Sequence, residues 1–236
     1  MVEPAKRGAL VEGWVAPRAP DATRLQGRWA RLERLDAEAH ARGLHEAFAG
    51  HDRLWDYLPY GPFSYVAYHR WAKEQAPKTD PLFWTIFDRE TEMPGGVASW
   101  LRITPEHGVI EVGHICLSPA LQRRRAATEA MFLMMDWAFA AGYRRYEWKC
   151  DALNLPSRRA AQRLGFSFEG VFRQHMIVRG RNRDTAWFAI TDRDWPALRE
   201  AYAVWLSPRN FDGQGRQRER LSDLTALVRV SSDPAL

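Results

Sequence analysis

The stretch that decides the fold reads Val109-Ile110-Glu111-Val112-Gly113-His114-Ile115-Cys116-Leu117-Ser118-Pro119, then Ala120-Leu121-Gln122-Arg123-Arg124-Arg125-Ala126-Ala127-Thr128-Glu129-Ala130. Val109 to Leu117 is a short, mostly apolar run bounded by turn residues, the pattern of a strand. Beyond Ser118-Pro119 the pattern changes. Ala126 to Ala141 is apolar almost all round, interrupted by Glu129 and Asp136, as in a helix buried on a sheet. A strand thus feeds a buried helix through a turn rich in arginine. The first turn of such a helix offers unpaired N–H groups and the positive end of the helix dipole, so it can hold a phosphate or pyrophosphate. A capped helix with a solvated basic face is the plain alternative.

Upstream, Leu82 to Asp88, Val97 to Ile103 and Val109 to Leu117 are short apolar runs, separated by Met93-Pro94-Gly95-Gly96 and by Glu106-His107-Gly108. That spacing predicts an antiparallel meander. Before it, Arg28 to Leu35 reads as a short edge strand, and Asp36 caps a helix through Ala37, Leu44, Ala47 and Phe48. Leu54 to Tyr60 and Phe63 to Ala76 form a second helical region, whose Tyr65, Tyr68 and Trp71 read as core or pocket wall.

Downstream, Tyr143 to Cys150 reads as a strand, Pro156 to Leu164 as a helix ended by Gly165, and Phe166 to Arg173 as a strand. A turn around Arg179-Gly180-Arg181-Asn182, a last strand Trp187 to Ile190 and a helix Asp194 to Trp205 complete the order. The expected class is α+β, with a mixed, mostly antiparallel sheet flanked by helices.

The 236 residues fit one domain. Proline and glycine without periodicity mark residues 1–27 as an irregular arm, residues 28–206 carry the domain, and residues 207–236 form a tail. Within that tail, Asn210 to Arg220 reads as a linker into a loosely held segment. The formal charge of +5 rests mainly on arginine, which suits a phosphate or carboxylate ligand as well as a solvated surface. Two cysteines in apolar stretches, Cys116 and Cys150, speak against a disulfide-stapled secreted protein and for a reducing cytoplasm. Met1 to Leu10 is mixed and charged, and no apolar run reaches the roughly 18 residues that span a bilayer. Neither export nor membrane insertion is expected.

A second segment joins the first: Trp148-Lys149-Cys150-Asp151-Ala152-Leu153-Asn154-Leu155-Pro156-Ser157-Arg158-Arg159-Ala160-Ala161-Gln162-Arg163-Leu164-Gly165-Phe166. Together they resemble the GNAT superfamily of N-acetyltransferases, in the branch that acetylates the N-termini of ribosomal proteins and related amines. The match lies in Glu111-Val112-Gly113, in Ala127-Thr128-Glu129-Ala130, and in Asn154, Ser157 and Leu164-Gly165-Phe166. It extends over about Arg28 to Leu206.

This resemblance implies the GNAT acyl-CoA N-acyltransferase fold and acetyl-CoA as donor. The family's pyrophosphate loop, Gln/Arg-x-x-Gly-x-Gly/Ala, falls on Gln122-Arg123-Arg124-Arg125-Ala126-Ala127, and Thr128 follows it. Arg125 stands where the family has glycine, so its side chain must point outward while main-chain amides hold the phosphates. The resemblance further implies that the strand bearing Ile115, Cys116 and Leu117 splays from the strand near Cys150 to admit pantetheine. Asn154 matches a cofactor contact and is equally a helix N-cap.

Attack of an amine on a thioester needs a base, polarisation of the carbonyl and protonation of the leaving thiolate. Glu111 matches the family's usual base, acting directly or through water. His114 is a second candidate, for a ring titrating near 6.5 suits proton transfer at neutral pH; a satisfied core histidine is its plain reading. Ser157 matches the thiolate acid and is equally a plain serine in the first turn of its helix, and the backbone N–H near Ile115 or Cys116 matches the carbonyl donor. Either cysteine is more simply a small buried hydrophobe than a nucleophile.

The sequence therefore predicts direct acetyl transfer from acetyl-CoA to a primary amine, either a protein N-terminus or a small molecule, by a monomer or homodimer. No metal site is expected, since the histidines lack ligand spacing, and no nucleic acid or membrane partner. The rivals are a CoA-binding regulatory protein without activity and a nucleic-acid-binding module that uses Arg216, Arg218 and Arg220.

Overall fold

In a computed structural model, which describes residues 7–236, one twisted sheet of eight strands runs through the chain. The first six residues of the arm expected over 1–27 lie outside the described part. The chain order is β1 Arg24–Gln26, β2 Ala30–Arg34, α1 Ala37–Phe48, α2 Tyr65–Gln75, β3 Leu82–Asp88, β4 Met93–Thr104, β5 Val109–Leu117 and α3 Arg125–Ala140. There follow β6 Arg145–Asp151, α4 Leu155–Arg163, β7 Ser167–Val178, β8 Arg181–Thr191, α5 Trp195–Trp205 and α6 Leu221–Ala226. The strands lie in the order β1-β2-β3-β4-β5-β6-β8-β7. Every pairing is antiparallel except β5 with β6.

That one parallel pair follows from the helix between its strands, since a parallel return needs a crossover. Pairing of β5 with β6 covers only Val109–Val112 against Arg145–Trp148. Gly113 to Leu117 stays bonded to β4, while Lys149 to Asp151 stays bonded to β8. The sheet is forked at this point.

A bulge in β5 sharpens the fork. Val97 and Ser99 of β4 pair with Cys116 and Gly113, so β5 carries one extra residue there, with His114 at φ 51. An extra residue reverses which face each following side chain takes. Ile110 and Val112 accordingly belong to the core under α3, whereas Cys116 belongs to the core under α1 and α2. Without the bulge Cys116 would share the α3 face with Ile110.

The larger core packs α3 on the sheet through Ala127, Ala130, Met131, Met134 and Ala138, against Trp84, Trp100, Tyr146 and Phe188. Trp84 and Trp100 meet edge to face at 5.2 Å, the geometry favoured by aromatic quadrupoles. Glu129, which interrupts the apolar pattern of α3, is buried and accepts from the N–H groups of Arg28, Trp29 and Ala30 at 2.9, 2.6 and 2.6 Å. It ties the entry of β2 to the central helix. On the other face, Asp36 caps α1 by accepting from Ala39, and Tyr68 and Trp71 pack with Phe48, Trp55 and Phe63.

Three expectations need correction. Residues 28–35 do not form an edge strand, because β1 inside the arm pairs outside β2. Asn210 to Arg220 is no free linker: Asn210 is buried, its amide donates to the Trp205 and Glu219 carbonyls, and Phe211 bridges Gln217. Nor is the end of the chain loosely held. Asp233 forms a buried two-point pair with Arg158 of α4, at 2.6 and 2.5 Å, and the Ser167 hydroxyl accepts from Val230 N–H. Polar composition marked these segments as loose, but their polar groups meet long-range partners.

Candidate active site

A cleft of about 1350 Å³ runs along the fork, from Trp29 and Phe211 past the start of α3 to His114, Lys149 and Arg183. All fourteen residues singled out as catalytic or cofactor-binding line it: Glu111, His114, Ile115, Cys116, Leu117, Gln122, Arg123, Arg124, Arg125, Ala126, Ala127, Thr128, Asn154 and Ser157. The fold therefore brings together groups from β5, α3 and α4.

The turn before α3 is built by Ser118, whose carbonyl accepts from the N–H groups of Leu121 and Gln122. Gln122 donates its side-chain amide back to the Leu117 carbonyl at 2.9 Å. The positive φ needed to enter the helix falls on Arg123, at 61°. The first intrahelical bond is Thr128 N–H to Arg124, and no side chain caps the helix. Among the described residues, the N–H groups of Arg125, Ala126 and Ala127 thus have no partner and face the cleft, where an anion meets both donors and dipole.

Arg125, in the glycine's place, does not occupy this cradle. Its guanidinium lies 5.2 Å from the Trp29 ring and 5.0 Å from the Phe211 ring, and pairs with Glu90 at 3.0 Å. Arg124 turns back to the Ala120 carbonyl. Thr128 accepts from Arg163 Nη1 at 3.1 Å, which joins α3 to α4 across the cleft floor.

On the far wall Asn154 accepts from Ser157 N–H at 3.1 Å and so is the N-cap of α4. The Ser157 hydroxyl accepts from Trp148 Nε1 at 3.0 Å, which leaves its own hydrogen free to donate. The same hydroxyl faces the Cys150 thiol. Burial pushes that thiol up to about 11 and the Cys116 thiol up to about 12. Both thiols are thereby held in the neutral form at physiological pH.

Glu111 is buried at 2% exposure, and both of its oxygens lie 2.8 Å from Arg102 Nη1. Lys149 Nζ lies 2.9 Å from Glu111 and 2.7 Å from Glu147, over the Trp187 ring at 3.8 Å. A buried carboxylate persists only when charges of this kind balance it. Hydrogen bonds from Lys149 and Arg145 hold Glu147 below the usual carboxylate range, against the opposing effect of burial. His114 stacks on Tyr60 at 5.5 Å, and its Nδ1 meets the Tyr60 hydroxyl at 3.0 Å. Burial, aided by the charges of Arg102, Arg183 and Lys78, brings the ring down to about 4. It is neutral at pH 7.

Sequence reasoning gave no individual role to Arg102, Lys149, Tyr60 or Arg183, which are far apart in the chain and share no local motif. It also missed the wall formed by Phe211, Gly213, Gln214, Gly215 and Gln217. Among the described residues, no group of three or more His, Cys, Asp or Glu side chains is placed to hold a metal ion, and no helix is long and apolar enough to cross a membrane.

A family model described as an acetyltransferase (GNAT) domain matches residues 30–167. The crystal structure of a GCN5-related N-acetyltransferase from Brucella melitensis is similar at 43% identity and a TM-score of 0.89, covering 92% of this chain and 100% of that one. A probable acetyltransferase of the GNAT family from Chromobacterium violaceum ATCC 12472 is 39% identical, with a TM-score of 0.77, over 84% of this chain and 100% of that one. The acetyl transferase from Salmonella typhimurium that modifies the N-terminal serine of 50S ribosomal subunit protein L7/L12 shares the fold, at 22% identity and a TM-score of 0.60, over 70% of this chain and 96% of that one. No curated protein matches the sequence.

Proposed function

The chain belongs to the GNAT acetyltransferase family, and on that premise we propose that it transfers an acetyl group from acetyl-CoA to a primary amine by direct attack. The observation that carries this reading is the row of free N–H groups at Arg125, Ala126 and Ala127, beside a fork in the sheet. The row suits a diphosphate, and the gap between Gly113–Leu117 and Lys149–Asp151 suits an extended pantetheine chain paired with strand backbone. Acetyl-CoA supplies the acetyl group already activated as a thioester.

The residues divide the remaining work. Glu111 takes the proton lost by the amine, and does so through water because its carboxylate is almost wholly buried. His114, neutral and stacked on Tyr60, shapes the approach of the amine and is the alternative acceptor. Backbone N–H at Ile115 or Cys116 polarises the carbonyl. Ser157 gives its hydroxyl proton to the departing sulfur as the C–S bond breaks and the C–N bond forms. Asn154 keeps Ser157 at the head of α4. Two unpaired buried cysteines fit a reducing compartment, and we place the enzyme in the cytoplasm.

The test is a calorimetric titration with acetyl-CoA, followed by an assay of thiol release over a panel of amines and peptides. Saturable one-to-one binding and amine-dependent thiol release are expected. Absence of binding at millimolar acetyl-CoA sinks the reading, and binding without thiol release for any amine favours a regulatory CoA-binding protein.

A further inference from the structure

At the end of the cleft away from the α3 cradle, the charges are not balanced. Arg102, Lys149 and Arg145 meet Glu111, Glu147 and Glu169, three cations against three carboxylates. Arg183, on β8 opposite Met176 of β7, lines the same end and forms no ion pair among the described residues. Its Nε is sealed from solvent with no acceptor. Asp56 and Asp151 also line the cleft, yet neither pairs with Arg183, and Asp151 is engaged by Leu153 N–H.

A guanidinium N–H buried without an acceptor is costly, and natural structures seldom leave one so. Arg183 lines the cleft unpaired, so an anion that enters can supply its counter-charge. One planar guanidinium matches the two oxygens of a carboxylate. The field of Arg183 also reaches the neighbouring groups, for it helps to keep His114 neutral and to draw the Cys150 thiol down against burial.

We propose that Arg183 binds a carboxylate carried by the acceptor, so that the preferred amine is an amino acid or a peptide N-terminal residue with an acidic side chain. This inference rests on the acetyl-transfer reading and narrows it to one substrate class. Arg183 is a specificity residue at the acceptor end, not a proton carrier.

The experiment compares matched acceptors with full-length protein. One arm sets γ-aminobutyrate against its amide, and the other sets tripeptide amides that begin with glutamate against those that begin with glutamine. In at least one arm the acid is expected to exceed the amide by about tenfold or more in kcat/KM, the size of one charge-assisted hydrogen-bonded contact. The arm that responds identifies the source of the carboxylate. Arg183→Gln should bring that preference close to unity and Arg183→Lys should retain part of it, with thermal melts confirming that both variants fold. Amides used as well as acids by the unaltered protein would overturn the proposal, as would a preference that survives in Arg183→Gln.

If no amine in the panel reacts, titration with glutarate decides the matter. Binding that is lost in Arg183→Gln supports the carboxylate site, and no binding at millimolar glutarate overturns it. The acetyl-CoA titration fails or succeeds separately, so the two readings can be lost one at a time.

Discussion

The two ends of the cleft are built differently. At the α3 end, the helix start offers main-chain N–H donors, while Arg125 and Arg124 are engaged by Glu90 and by the Ala120 carbonyl. At the β8 end the groups are side chains from several elements: Glu111, Arg102, Lys149, His114 and Arg183. Main-chain donors survive substitution of the residue that carries them, which is how Arg125 can stand where the family resemblance implied glycine. A site made of side chains changes with each substitution, and the acceptor end is therefore where this chain can differ from others of its fold.

The largest effect that would sharpen this contrast is expected from the C-terminal segment that steadies the wall between the two ends. Asp233→Ala leaves Arg158 buried without its partner, at about 3–5 kcal/mol of stability. Thermal or denaturant unfolding measures the loss, and Asn154 and Ser157 should become mobile with α4. An unchanged melting temperature would mean that the pair has no part in holding α4.

Next comes Glu111→Gln, expected to lower kcat by about a hundredfold or more, the usual scale of a lost proton-transfer group. Acetyl-CoA affinity should persist, since the cradle lies at the other end. Wild-type turnover in that variant would remove Glu111 as the base and leave His114 or water. Ala127→Leu makes the converse test. Crowding the close approach to the cradle should weaken acetyl-CoA binding by roughly tenfold, about 1.4 kcal/mol, without changing which amines are preferred. If affinity held, the diphosphate would lie elsewhere, and the contrast between main-chain and side-chain ends would lose its first half.

How far the cofactor end was legible in the sequence follows from its construction. Strand, turn and helix lie within one continuous stretch, Val109 to Ala140, so hydrophobic period and turn chemistry located them, whereas the Phe211 to Gln217 wall, far along the chain, was missed. The three strands of the meander were read for the same reason, with Leu82–Asp88 and Val109–Leu117 matching residue for residue. The acceptor end was only partly legible. Glu111 and His114 were found because they sit on the decisive strand, but their partners Arg102, Lys149 and Tyr60 are set by pairing between distant strands and by the packing of the segment before α2. The bulge at His114, which decides that Cys116 faces α1 and α2, leaves no local signal beyond the polar residue itself.

Local chemistry therefore sufficed to read the run of elements from β2 to α5 and a helix start able to hold an anion, because backbone periodicity and helix ends are properties of contiguous residues; the fork in the sheet was implied by the family resemblance alone. Tertiary structure alone decided that the final residues dock on α4, that Arg125 is held between Trp29 and Phe211, and that Arg183 is left without a counter-charge. These depend on which distant groups meet in a low-dielectric interior, where a charge is stabilised or stranded by neighbours that the linear order does not reveal.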